Sequence, residues 1–113
     1  RSARREIDQA LAVHRKLGDG PRETVDLRIL GRILALNGAA EEAERLLREV
    51  IGRAGNEERP RIQADAQRDL ARLLMKMGRP DEATGIAREA RVTYSDCGAE
   101  AEVRKLDDLV ENQ

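Results

Sequence analysis

The chain has 113 residues, enough for one small domain, with 40% hydrophobic and 38% charged residues and a formal net charge of −1. That near-neutral balance disfavours broad nucleic-acid binding as a partner class. The single cysteine excludes an internal disulfide framework, and no apolar run is long enough to span a membrane. Phe and Trp are absent and Tyr94 is the only aromatic residue, so a core has to be assembled from many small aliphatic contacts, mostly Ala and Leu. Closely packed helices suit that composition, because Ala lets two backbones approach.

In chain order, Gly and Pro divide the sequence into six helical stretches: about 2–17, 21–37, 40–54, 60–77, 80–96 and 99–111. Pro21, Pro60 and Pro80 stand where a helix begins, and Gly18, Gly38, Gly55, Gly78 and Gly98 where one ends. Glu41/Glu42 and Asp81/Glu82 read as first-turn acids that complement the helix dipole, rather than as catalytic carboxylates. No stretch alternates with period two, so strands are not expected. Links this short between helices make neighbours antiparallel, and the expected fold is all-α.

A shift of 40 residues lays the chain on itself. Leu30 meets Leu70, Gly31 meets Ala71, Leu34 meets Leu74, Gly38 meets Gly78 and Ala43 meets Ala83. Leu47 and Val50 meet Ala87 and Ala90. The same shift carries Ala43, Leu47 and Val50 back to Ala3, Ile7 and Ala10, so the first helix matches the second helix of a pair whose first helix is missing. A period of this size signals a stacked array in which each unit buries its apolar face against its neighbours.

The motif Leu27-x2-Leu30-Gly31-x2-Leu34 followed by Ala43-x3-Leu47 resembles the tetratricopeptide repeat, as does Gln67-x2-Leu70-Ala71-x2-Leu74 followed by Ala83-x3-Ala87. The departures are the missing aromatics, Gly55 and Ser95 in place of the closing Pro, and a period of 40 against the family's usual value of about 34. The resemblance implies an α-solenoid of helix hairpins: the second helix of a truncated repeat over 1–20, full repeats over 21–59 and 60–98, and a capping helix over 99–113. In that capping helix Val103, Leu106, Leu109 and Val110 form one apolar stripe. The chain begins at Arg1 already in helical pattern and is read as a piece of a longer protein. Its many Arg and few Lys suggest a bacterial, GC-rich coding sequence and a cytoplasmic setting.

Catalytic groups are sparse. His14 stands alone in its helix and Cys97 stands in a turn, so neither is read as a ligand or nucleophile, and no metal or cofactor site is expected. The resemblance implies instead a non-catalytic interaction module whose first-of-pair helices line a concave groove. Arg28 and Arg32, and forty residues on Arg68 and Arg72, are i, i+4 pairs that the shift superposes, giving a basic patch suited to an acidic peptide. Met75, with Ala35, Leu36 and Lys76, continues the same wall. Asp26, Asp65 and Asp69 are the acids close enough in sequence to offset these charges, and Asp108 takes the corresponding place in the last helix. The alternative is a self-association segment of a multidomain regulatory protein, with Ala3, Ile7, Ala10 and Leu11 as an apolar face covered by another copy, that is, a homo-oligomer through the first helix.

Overall fold

Six helices, the last five beginning at twenty-residue intervals, make up a computed structural model that describes residues 2–111: α1 (Ser2–Lys16), α2 (Gly20–Leu36), α3 (Ala40–Asn56), α4 (Pro60–Lys76), α5 (Pro80–Asp96) and α6 (Glu100–Glu111). No strand occurs among the described residues, and none of their helices is long and apolar enough to cross a membrane. The side chain of Val110 lies outside the described set.

One local device ends each of the first five helices. Every link has three residues, and the middle one has positive φ: Gly18 (69°), Gly38 (85°), Glu58 (56°), Gly78 (75°) and Gly98 (75°). The N–H of the third residue then donates back to a carbonyl five residues earlier, as in Asp19 to His14, Ala39 to Leu34, Arg59 to Ala54, Arg79 to Leu74 and Ala99 to Tyr94, at 2.8–2.9 Å. This is the Schellman cap, with its left-handed residue, that satisfies carbonyls left free in a last turn. It corrects the expected end of the third helix: α3 runs through Gly55 to Asn56, and the left-handed residue is Glu58. Gly55 faces Gln63 instead, where a Cβ would stand 2.9 Å from the Gln63 amide nitrogen.

Identical links make each helix antiparallel to the next, and α2 also lies beside α4. The result is an array of helix hairpins measuring 41 × 30 × 20 Å. The α2–α3 contact depends on size. A Cβ on Gly31 would stand 2.9 Å from Leu47 Cδ2, so the missing side chain is what lets fully buried Leu47 lie against α2. At the equivalent place in the α4–α5 pair both residues are Ala, Ala71 and Ala87, and both are buried. One pair combines no side chain with a large one; the other combines two small ones.

The apolar interior falls into two clusters. The larger joins Ile7 and Leu11 of α1 to Leu27, Leu30 and Leu34 of α2 and continues through α3 and α4 to Ala83. The second lies among α4, α5 and α6 and is built around Tyr94, with Ala64, Ala71, Ala87, Ala90, Val103 and Leu106. Tyr94 is wholly buried. Its hydroxyl donates to the Asp65 carboxylate, and Arg61 stands 5.8 Å from the ring centroid. Burial, then the carboxylate at its hydroxyl, pushes the Tyr94 phenol up.

The first helix differs from expectation in one respect. Ile7 and Leu11 are not an uncovered face: they are buried in the chain's own core. α1 packs on the following helix, α2, as α3 packs on α4, so this flank finds a partner without a preceding helix. Ala10 is half-buried beside the same cluster, and Ala3 is exposed.

Candidate partner-binding groove

Between the C-terminal halves of α2 and α4 runs a cleft of about 150 Å³. Arg32, Ala35 and Leu36 line one side and Asp69, Arg72, Leu73 and Lys76 the other. Leu47 reaches its floor from α3, which it does because Gly31 leaves it room. The α4 residues fall at i, i+3, i+4 and i+7, one continuous helical stripe. Leu73 is buried, whereas Arg32, Arg72, Lys76 and Leu36 are exposed.

Asp69 carries the electrostatics of this cleft. It is 7% exposed. Its Oδ2 accepts from Arg28 Nη1 at 2.9 Å, while Oδ1 lies 3.9 Å from both Arg32 Nε and Arg68 Nη2. Burial pushes its carboxyl above the usual range, against the opposing pull of the Arg28, Arg68 and Arg32 guanidiniums. Arg72 has no ion pair among the described residues, and Arg32 has only the 3.9 Å approach to Asp69. Three cations therefore face an apolar-floored cleft whose one lining carboxylate is already engaged by Arg28.

The five residues singled out from sequence divide accordingly. Arg32 and Arg72 line the cleft together. Arg28 is largely buried at its edge and serves as a tie from α2 to Asp69 of α4. Arg68, its forty-residue counterpart, makes the next tie: it points away to α6, where Nη1 lies 3.4 Å from Glu102 Oε2, and its Nε is buried with no hydrogen-bond partner. Met75 is absent from the lining and packs half-buried against the core. The same helical position thus yields inter-repeat ties at 28 and 68 and exposed cleft residues at 32 and 72. Leu47 and Leu73 went unseen in the sequence as groove residues. Leu73 belongs to the i, i+4 stripe with Asp69, a signal that was available, but Leu47 belongs to a helix not expected to line the groove at all.

The other acids close to these arginines are engaged elsewhere. Asp26, buried, bonds to His14 Nδ1 across the α1–α2 contact. Asp65 holds Tyr94. His14 is a half-buried cross-helix partner. Asp108 is exposed on α6. Cys97 is exposed at the C-terminal cap of α5, with Sγ 3.5 Å from the Tyr94 carbonyl. Among the described residues no three His, Cys, Asp or Glu side chains are placed to hold a metal ion.

The chain matches no protein-family model, no curated protein and no solved structure.

Proposed function

We propose that this chain is a non-catalytic protein-interaction module of the tetratricopeptide kind, and that the cleft between α2 and α4 takes an acidic segment of a partner protein. The observation that carries this reading is the convergence of Arg32, Arg72 and Lys76 on a cleft floored by Leu47 and Leu73. Guanidinium groups on apolar ground bind carboxylate and phosphate oxygens well, because the fork presents paired donors and the dry floor strengthens each bond. The forty-residue period supports the family reading, since it repeats the small residues at 31 and 71 and at 43 and 83 that let each helix pair close.

The test is fluorescence anisotropy of a labelled acidic peptide, hexaglutamate, titrated with the protein at several salt concentrations. Arg32→Ala/Arg72→Ala should weaken binding by roughly tenfold or more, the scale of one or two lost charge-assisted bonds, and flatten its salt dependence. Circular dichroism should not change, since both side chains are exposed. Arg88→Ala/Arg104→Ala removes two exposed charges elsewhere and should have little effect. Equal binding by the groove variant and the wild type would remove the proposal.

A further inference from the structure

The cleft between α2 and α4 has an apolar stretch that acidic side chains alone leave unused. Arg32, Ala35 and Leu36 fall at i, i+3 and i+4, so the α2 wall passes from a cation to aliphatic surface within about one turn. Leu36 is 75% exposed and belongs to neither apolar cluster. A leucine standing open by itself is ordinary on a protein surface. This one lines a cleft whose floor, Leu47 and Leu73, is aliphatic too. The repeat does not require it: forty residues on stands Lys76, and Met75, the counterpart of Ala35, is half-buried against the core. Both walls are fixed within the described array, since α1 and α3 flank α2, and α3 and α5 flank α4.

α2 and α4 run parallel, because each is antiparallel to α3. Asp69 sets their register, with its carboxylate between Arg28 and Arg32. One turn further along α4, Arg72 and Leu73 therefore lie level with Arg32, Ala35 and Leu36, and Lys76 lies beyond them. The aliphatic stretch thus has two guanidiniums at one end and an ammonium at the other. From Arg72 to Lys76 is about 6 Å along the helix axis, the length of about two residues of extended chain. The cleft holds about 150 Å³, a volume in which an apolar space accepts one benzene-sized group.

We infer, on the reading of this cleft as the seat of an acidic segment, that the segment carries one leucine-sized aliphatic side chain between its acids, seated against Leu36, Ala35 and Leu73. The acids supply an attraction that salt screens. The aliphatic side chain supplies register, because a plain run of acids meets the three cations equally well in several positions. It also covers Leu36, which nothing in the described chain covers.

Fluorescence anisotropy on the full chain compares two labelled hexapeptides of equal charge, one of glutamates with leucine at the fourth position and one with alanine there. The leucine peptide should bind about tenfold tighter, the scale of partly burying its extra carbons. That ratio should persist as added salt weakens both. Leu36→Ser should reduce the ratio to about threefold or less, and should leave the alanine peptide's affinity and the circular dichroism unchanged, since Leu36 is exposed. Equal affinity for the two peptides, with Arg32→Ala/Arg72→Ala still weakening both, would overturn this inference and leave the groove reading standing. Binding that ignores both arginines would overturn the two together. A leucine preference unchanged in Leu36→Ser would place the side chain elsewhere and overturn the inference. So would a wild-type mass that doubles in light scattering without peptide and returns to monomer in Leu36→Ser, which would give the cleft to a second copy.

Discussion

Glu58 is the only non-glycine residue with positive φ among those described, in a link whose four counterparts carry Gly. Left-handed backbone crowds a Cβ against the following carbonyl, and the exposed Glu58 side chain makes no hydrogen bond or ion pair to offset that cost. Glu58→Gly should therefore raise stability by about 0.5–1 kcal/mol in urea unfolding, the relief of strain exceeding the added unfolded-state entropy. Gly31 makes the opposite argument: there Gly is required by a neighbour, not by φ. Gly31→Ala should cost about 1–2 kcal/mol despite Ala's higher helix propensity, and Leu47→Ala about 2–4 kcal/mol through the cavity it leaves. The double variant reproduces the Ala71/Ala87 pair that α4 and α5 already use. It should lose less than the sum of the single changes, by about 1 kcal/mol or more in a double-mutant cycle.

Among the elements, α5 and α6 depend on one side chain. α5 meets α4 through Ala83, Ala87 and Ala90, which fill little space, and Tyr94 supplies the volume that Val103 and Leu106 of α6 pack against. Tyr94→Ala should cost about 3–5 kcal/mol and should expose the α6 amides in hydrogen exchange before those of α2 and α3. Tyr94→Phe keeps the volume and leaves Asp65 without its hydroxyl donor, so a loss of about 1–2 kcal/mol is expected. If the two substitutions cost the same, the ring would not be what holds α6. Where α4 turns Ala64 and Gln67 inward, α6 carries Arg104, which is exposed, and Asp107, which Arg91 of α5 engages at 3.0 Å.

Across the whole molecule, ion pairs connect helices that sequence places far apart. Arg53 joins α3 to Glu23 of α2, and Arg79, in the link before α5, forks onto Glu44 of α3 at 2.7 and 3.1 Å. The hydrogen bond from Arg53, then that from Arg15, holds Glu23 below its usual value near 4.5; the bond from Arg79, then that from Arg48, does the same for Glu44. Their contribution is complete above the unfolded value of 4.5 and is lost as pH falls through the lowered folded values. Asp69 has the opposite sign: its folded value lies above the unfolded 3.8, so the folded state binds its proton first and acid relieves its burial. Stability by urea titration should decline below about pH 4.5, less steeply in Glu44→Gln and more steeply in Asp69→Asn. An Asp69→Asn curve parallel to the wild type would contradict the burial assigned to that carboxylate.

The chain's own pattern determined the helices, their boundaries to within about two residues, the forty-residue period, and the equivalence of Arg32 and Arg72 on the two first-of-pair helices. Those features are local: Gly and Pro fix where a helix stops and starts, and spacing fixes which residues share a face. The tertiary structure alone decided that Ile7 and Leu11 are covered by α2, that Arg28 and Arg68 are ties to the next first-of-pair helix, and that Tyr94 builds the second core. It also decided that Leu47, from a helix behind, floors the groove. Each of these depends on which flank of one helix meets which flank of another and on how far a side chain reaches across the gap. A period records that two segments are alike. It does not record that a stacked helix has two different flanks, one met by the unit before and one by the unit after.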